Sequence, residues 1–141
     1  MKSEFFTRSP LQTKKAGKLL AQEILKSKKG KKAFVLGLVG DLGGGKTTFL
    51  QGFAKGLKVK EKVLSPTFII MRRLNSFYHI DCYRTKSSRD ILSLGFEKIT
   101  ANPKNIVAVE WADKVRQIMP KNAIWVKFEF INEKERKIMV R

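Results

Sequence analysis

The chain has 141 residues, the length of one domain, and its 43% hydrophobic content supports a buried core and excludes a disordered chain. Its single cysteine, Cys82, excludes an internal disulfide framework, and no apolar run reaches the roughly 20 residues a membrane helix requires. Thirty Lys and Arg against twelve Asp and Glu leave a net charge of +18; such a field draws polyanions, so RNA contact and a dispersed, solvated lysine coat both stay open.

Residues 1–6 carry an early acid and no apolar segment, so no signal peptide is expected; with the lone cysteine this points to the cytoplasm. Residues 4–8 are expected as a short edge strand, broken by Ser9-Pro10. Ala16, Leu19, Leu20 and Ile24 recur at helical spacing and predict a helix over 13–26, with Thr13 as N-cap and Gly30 ending the segment. Residues 33–39 are almost continuously apolar, the pattern of a strand covered on both faces. A glycine-rich turn and a helix over 46–57 follow. Residues 68–71 and 77–82 read as strands on either side of the turn pair Asn75-Ser76. A helix over 90–98, a buried strand over 106–110 and a short helix over 112–119 stopped by Pro120 come next. A hairpin of 124–130 with 136–140 ends the chain. Strand–helix alternation followed by a hairpin predicts an α/β class. The expected fold is one P-loop NTPase-like, three-layer domain over 1–141, its sheet mostly parallel with a C-terminal antiparallel hairpin.

Gly40-Asp41-Leu42-Gly43-Gly44-Gly45-Lys46-Thr47 satisfies G-x-x-x-x-G-K-[ST], the Walker A pattern, between a predicted strand and a predicted helix. Gly43, Gly44 and Gly45 let the backbone curl so that successive N–H groups converge on phosphate, and the helix adds its own unpaired N–H groups. Lys46 reaches the β/γ-phosphates, and the Thr47 hydroxyl suits Mg²⁺. Asp41 and Thr48 either shape the loop or, for Thr48, touch the α-phosphate. A carboxylate must face such a loop. Asp81 and Glu110 each close an apolar strand, and ligands of α/β sheets lie beyond the carboxyl ends of the strands. Each acid could instead cap a helix or pair at the surface. His79 reads first as a packed strand histidine, Cys82 as a small buried hydrophobe and Trp125 as a packing residue. Trp111 is expected to pack on the domain, and Arg84 either faces phosphate or pairs with an acid. Nothing in the sequence suggests a zinc cluster.

These segments together resemble the TsaE (YjeE) ATPases of bacterial tRNA threonylcarbamoyladenosine synthesis. The resemblance is carried by the phosphate loop continuing into Thr48-Phe49, then Ser65-Pro66-Thr67-Phe68, His79-Ile80-Asp81-Cys82-Tyr83-Arg84, Leu94-Gly95-Phe96, Glu110-Trp111-Ala112-Asp113 and Pro120, in that order. It implies a small cytoplasmic ATPase, weak alone, that acts with the TsaD–TsaB heterodimer on adenosine 37 of tRNA, with tRNA contacted directly through the basic surface or only indirectly. It implies that Lys46 binds phosphate, Thr47 and Glu110 hold Mg²⁺, Asp81 positions the attacking water, Thr67 senses the γ-phosphate and Trp111 lies beside the nucleotide. Three positions depart from the family: Gly44 where alanine is common, Cys82 where an aliphatic is usual and Leu74 where a tyrosine is usual. The segment between Phe68 and His79 is also short. Thr13 is a candidate for an N-terminal nucleotide contact. The competing readings are a small-molecule kinase, for which Arg72, Arg73 and Arg89 are loose lid candidates, a GTPase, which lacks its N-K-x-D reader, and a basic RNA-binding module.

Overall fold

A computed structural model describes residues 2–27, 29–41, 45–60 and 70–141. The elements are β1 (Ser3–Thr7), α1 (Pro10–Lys26), β2 (Phe34–Gly40), α2 (Lys46–Gly56), β3 (Met71–Leu74), β4 (Phe77–Asp81), α3 (Ser88–Leu92), α4 (Phe96–Ala101), β5 (Ile106–Glu110), a 3₁₀ helix (Ala112–Ile118), β6 (Ile124–Phe130) and β7 (Arg136–Val140). The strand order is β1-β7-β6-β2-β5-β4-β3. Pairs β2/β5 and β4/β5 are parallel, whereas β1/β7, β6/β7 and β3/β4 are antiparallel. The α/β class is as expected, in a mixed sheet that is parallel in its core. The chain divides into two compact units, one of Met1–Lys28, Gly40–Ser65 and Val126–Arg141, the other of Lys29–Val39 and Pro66–Trp125.

In the first unit, α1 starts earlier than its apolar spacing predicts. Ser9 is extended, its Oγ accepts the Gln12 N–H at 3.1 Å, and Pro10 stands in the first turn. A proline there pre-sets φ and removes an N–H that would have no helical partner, so what reads as a breaker is a starter. Thr13, expected as the cap, lies inside the helix, buried, with Oγ1 2.8 Å from Thr7 Oγ1. The helix stops at Lys26, with Ser27 rather than Gly30 at its C-terminal end. Helix α1 meets α2 through glycines. A Cβ on Gly17 would stand 2.1 Å from the Phe49 carbonyl oxygen, and one on Gly52 1.9 Å from that of Lys14. Phe49 of α2 sits edge-on to Phe128 of β6, centroids 5.3 Å apart. The β6–β7 hairpin forms as predicted, and the turn is fixed by Asn132, whose Oδ1 accepts the Lys134 and Glu135 N–H groups at 2.8 and 2.9 Å.

The second unit is built on the parallel strands β2, β5 and β4. Val35, Ile80, Val107 and Val109 form its core with Cys82, Ile91, Phe96, Ala112 and Val115. β3 turns into β4 through Asn75 at φ 59°, a conformation asparagine tolerates. The single helix expected over 90–98 is two short ones. Gly95 stands between them at φ 88°, and a left-handed residue interrupts the helical hydrogen-bond ladder. Residues 68 and 69 of the strand expected over 68–71 lie outside the described residues, and β3 runs from Met71 to Leu74. Trp125 packs as expected, its ring on the bare backbone of Gly37 with the Arg116 guanidinium 4.4 Å from the ring centroid.

Candidate functional site

In the first unit, Gly40 ends β2 at φ 136°, and a Cβ there would lie 2.3 Å from the Phe128 carbonyl oxygen, so both conformation and space demand glycine. Gly45, at φ 98°, precedes α2, and no side chain caps that helix. The positive end of the helix dipole lies at this start. Lys46 opens α2 and is only 6% exposed. Its Nζ turns back into the loop and donates to the Gly40 and Asp41 carbonyls, both at 2.8 Å. Thr47 and Thr48 are half-buried in the first turn of the helix, and Asp41 is exposed. The Thr13 methyl lies 3.4 Å from where a Gly45 Cβ would stand, which puts this N-terminal candidate against the loop's last glycine. Gly43 and Gly44 lie outside the described residues, as does Thr67 with its Ser65-Pro66-Thr67-Phe68 segment.

The acids belong to the second unit. Asp81 of β4 pairs in register with Glu110 of β5, and Glu110 pairs with Leu38 of β2, two residues before Gly40. Both acids thus stand in one row with Leu38, near the C-terminal end of β2. Asp81 is half-buried. Its Oδ1 accepts the Tyr83 N–H at 2.9 Å, and its own N–H is held by the Ile70 carbonyl at 2.7 Å. Glu110 is 2% exposed, and its Oε2 lies 2.5 Å from His79 Nε2. His79 is thus packed inside its strand, as read, but it packs onto the predicted metal-binding acid. The Cys82 N–H donates to the Glu110 carbonyl at 3.0 Å and locks β4 to β5 one residue beyond the acids. The Cys82 thiol is pushed up to about 11, chiefly by burial, which keeps it protonated at neutral pH and fits a packing residue.

Trp111 follows Glu110 directly and holds φ 57°, a left-handed conformation that aromatic residues seldom adopt. That turn lays its ring against Tyr83, centroids 5.2 Å apart. Lys114 sits over both rings, 5.2 Å from the Tyr83 centroid and 5.9 Å from that of Trp111, and donates to the Tyr83 carbonyl. Tyr83 and Lys114 carried no signal as a pair because the kink at Trp111 that joins them is not written in residue type. Arg84 and Arg73 are exposed, and the Arg73 guanidinium stacks 5.5 Å from the Tyr78 centroid.

Among the described residues no group of three or more His, Cys, Asp or Glu could hold a metal ion. The oxygen donors Thr47 and Glu110, each taken by itself, are of the type that suits Mg²⁺, which retains waters and shares phosphate oxygens, and not of the type that suits zinc. A family model described as "Threonylcarbamoyl adenosine biosynthesis protein TsaE" matches residues 7–138. The chain belongs to the TsaE family. Among curated TsaE proteins, that of Bacillus subtilis (strain 168) is 35% identical over 136 residues, 94% of this chain and 80% of its own length. That of Rickettsia felis is 34% identical over 130 residues, 89% of this chain and 71% of its own. Both are named tRNA threonylcarbamoyladenosine biosynthesis protein TsaE. The crystal structure of Bacillus subtilis YdiB superposes with a TM-score of 0.79 at 30% identity, covering 99% of this chain and 84% of its own. The span matched to TsaE contains the phosphate loop, Thr67, His79, Asp81, Glu110 and Trp111. Among the described residues no helix of this TsaE chain is long and apolar enough to cross a membrane.

Proposed function

We propose that residues 1–141 form one P-loop ATPase domain. It binds ATP with Mg²⁺, hydrolyses it weakly alone, and acts in the cytoplasm with the TsaD–TsaB heterodimer in making threonylcarbamoyladenosine at position 37 of tRNA. The observation that carries the nucleotide reading is Lys46, a buried ammonium fastened to the Gly40 and Asp41 carbonyls at the uncapped start of a helix. A fixed cation at the positive end of a helix suits a compact polyanion. When a triphosphate arrives, Lys46 exchanges neutral carbonyls for charged oxygens, a stronger bond. Gly43, Gly44 and Gly45 line the phosphates, with Thr48 beside them. Thr47 and Glu110 would hold Mg²⁺, which when bound neutralises charge building on the β- and γ-phosphates. Asp81, steadied through the Tyr83 N–H, orients the attacking water. Thr67 takes the γ-phosphate switch position, and Trp111 flanks the nucleotide. The partner assignment rests on family membership and on the names of the relatives. The +18 charge supports tRNA nearby, met directly through the basic surface or through the partner.

Two experiments test this reading. Asp81→Asn and Glu110→Gln are expected to cut phosphate release about 100-fold or more while the ATP Kd moves less than about 10-fold, because both residues act in turnover more than in holding the base and sugar. Normal turnover by either variant removes that residue from the mechanism, and a phosphorylated metabolite in place of free phosphate points to a kinase. Capture on immobilised TsaD–TsaB is expected to differ among ATP, ADP and nucleotide-free conditions. Equal capture in all three, or none, overturns the partner assignment.

A further inference from the structure

Glu110 is one of the most deeply buried polar residues among those described, and a carboxylate so far from water must be compensated by a donor. His79 supplies one, with Nε2 2.5 Å from Oε2 and the two side chains 1% and 3% exposed. The pairing comes from strand register. His79 lies opposite Ala108, so Glu110 is two residues further along β5 and returns to the same face of the sheet. An ionised carboxylate only accepts, so the imidazole presents its Nε2–H to it. The ring has little freedom, because His79 is almost wholly buried in the middle of β4.

We propose that His79 is a positioning residue: its Nε2–H pins one oxygen of Glu110 and so fixes the carboxylate in the orientation in which it meets Mg²⁺ on the triphosphate. The inference rests on the proposed role of Glu110 toward the metal. In this role His79 acts only through the acid. An outer donor of this kind is typically worth about 10–100-fold in metal affinity.

The identity of the bonded nitrogen gives a sharp test. A glutamine side chain carries its N–H at the reach of Nε2, whereas an asparagine carries it at the reach of Nδ1. His79→Gln, His79→Asn and Glu110→Gln are compared with the full-length wild type by titrating Mg²⁺ into a fluorescent ATP analogue bound to the protein, and by electron paramagnetic resonance of Mn²⁺ in the same complex. His79→Asn is expected to raise half-saturating Mg²⁺ about 10-fold or more, while His79→Gln stays within about 3-fold of wild type. Affinity for the analogue without metal is expected to be unchanged in both. If both His79 variants follow the wild type, or if Gln and Asn shift alike, His79 only fills the core and the proposal falls. If Glu110→Gln itself leaves the Mg²⁺ dependence unchanged, the underlying assignment of Glu110 fails instead, so the two failures are told apart. Thermal unfolding of each variant shows whether a shift reflects lost fold, and equal melting of Gln and Asn variants with unequal Mg²⁺ dependence sustains the proposal.

Discussion

Lys46→Ala is expected to weaken ATP binding about 10- to 100-fold, the loss that follows from removing charge-assisted hydrogen bonds worth roughly 1.5–3 kcal/mol. The size of the effect follows from where the ammonium sits. It is buried and already tethered, with Nζ 2.8 Å from the Gly40 and Asp41 carbonyls, so little side-chain entropy remains to be lost when phosphate arrives. The substitution also strips a donor from two loop carbonyls, which costs stability of up to about 1–3 kcal/mol wherever water does not replace it. Lys46→Arg is not expected to restore binding, because a planar guanidinium cannot occupy the slot of a compact ammonium between two carbonyls. Isothermal titration with ATP, beside melting curves of the free proteins, separates the two losses. A Kd equal to wild type in the alanine variant would remove the loop as the phosphate receptor, and the ATPase reading with it.

What could be read without coordinates was whatever residue type writes directly. Glycines with a following Lys-Thr specify a phosphate loop, and a run such as Phe34–Gly40 specifies a covered strand. The alternation of the last two strands specifies a hairpin. Asp81 and Glu110 were legible as candidates because each ends an apolar run, and their register on β4 and β5 puts them in one row. The misreadings came where one residue type serves two ends. Pro10 starts α1 although a proline within an apolar pattern suggests a stop, and Gly95 splits a segment whose spacing reads as one helix. The His79–Glu110 pair was not legible at all. It depends on which residue of β5 lies opposite His79, and a shift of one residue would send Glu110 to the other face. Nor does the sequence show that Trp111 turns left-handed and brings Tyr83 and Lys114 to its ring. The helix contact through Gly17 and Gly52 was hidden for a related reason. Glycine within a helical pattern lowers helix propensity and says nothing about what approaches it.

Gly52→Ala tests that contact and is expected to be strongly destabilising. The added Cβ would lie 1.9, 2.5 and 2.6 Å from the Lys14 carbonyl oxygen, carbonyl carbon and Cα, all backbone atoms that no rotamer change can move. Gly17 meets α2 in the same way, since a Cβ there would lie 2.1 Å from the Phe49 carbonyl oxygen. Relief therefore requires the helices to part, which loosens the packing of the fully buried Phe49, Leu50 and Phe53. Alanine gains about 1 kcal/mol over glycine in helix propensity, and the overpacking must exceed this. A net loss of about 2–3 kcal/mol is expected, and the melting temperature should fall by roughly 5–10 °C. Gly30→Ala is the matched control. Gly30 is exposed and a Cβ there meets nothing within 4 Å, so its effect should stay within about 0.5 kcal/mol. The consequence reaches the phosphate loop, because Gly52 lies on the helix that Lys46 opens, and a displaced α2 carries the ammonium and the leading N–H groups with it. Gly52→Ala should therefore lower ATP affinity although its methyl touches no ligand atom. If it melts with Gly30→Ala and binds ATP as the wild type does, the two helices do not approach as closely as these glycines require.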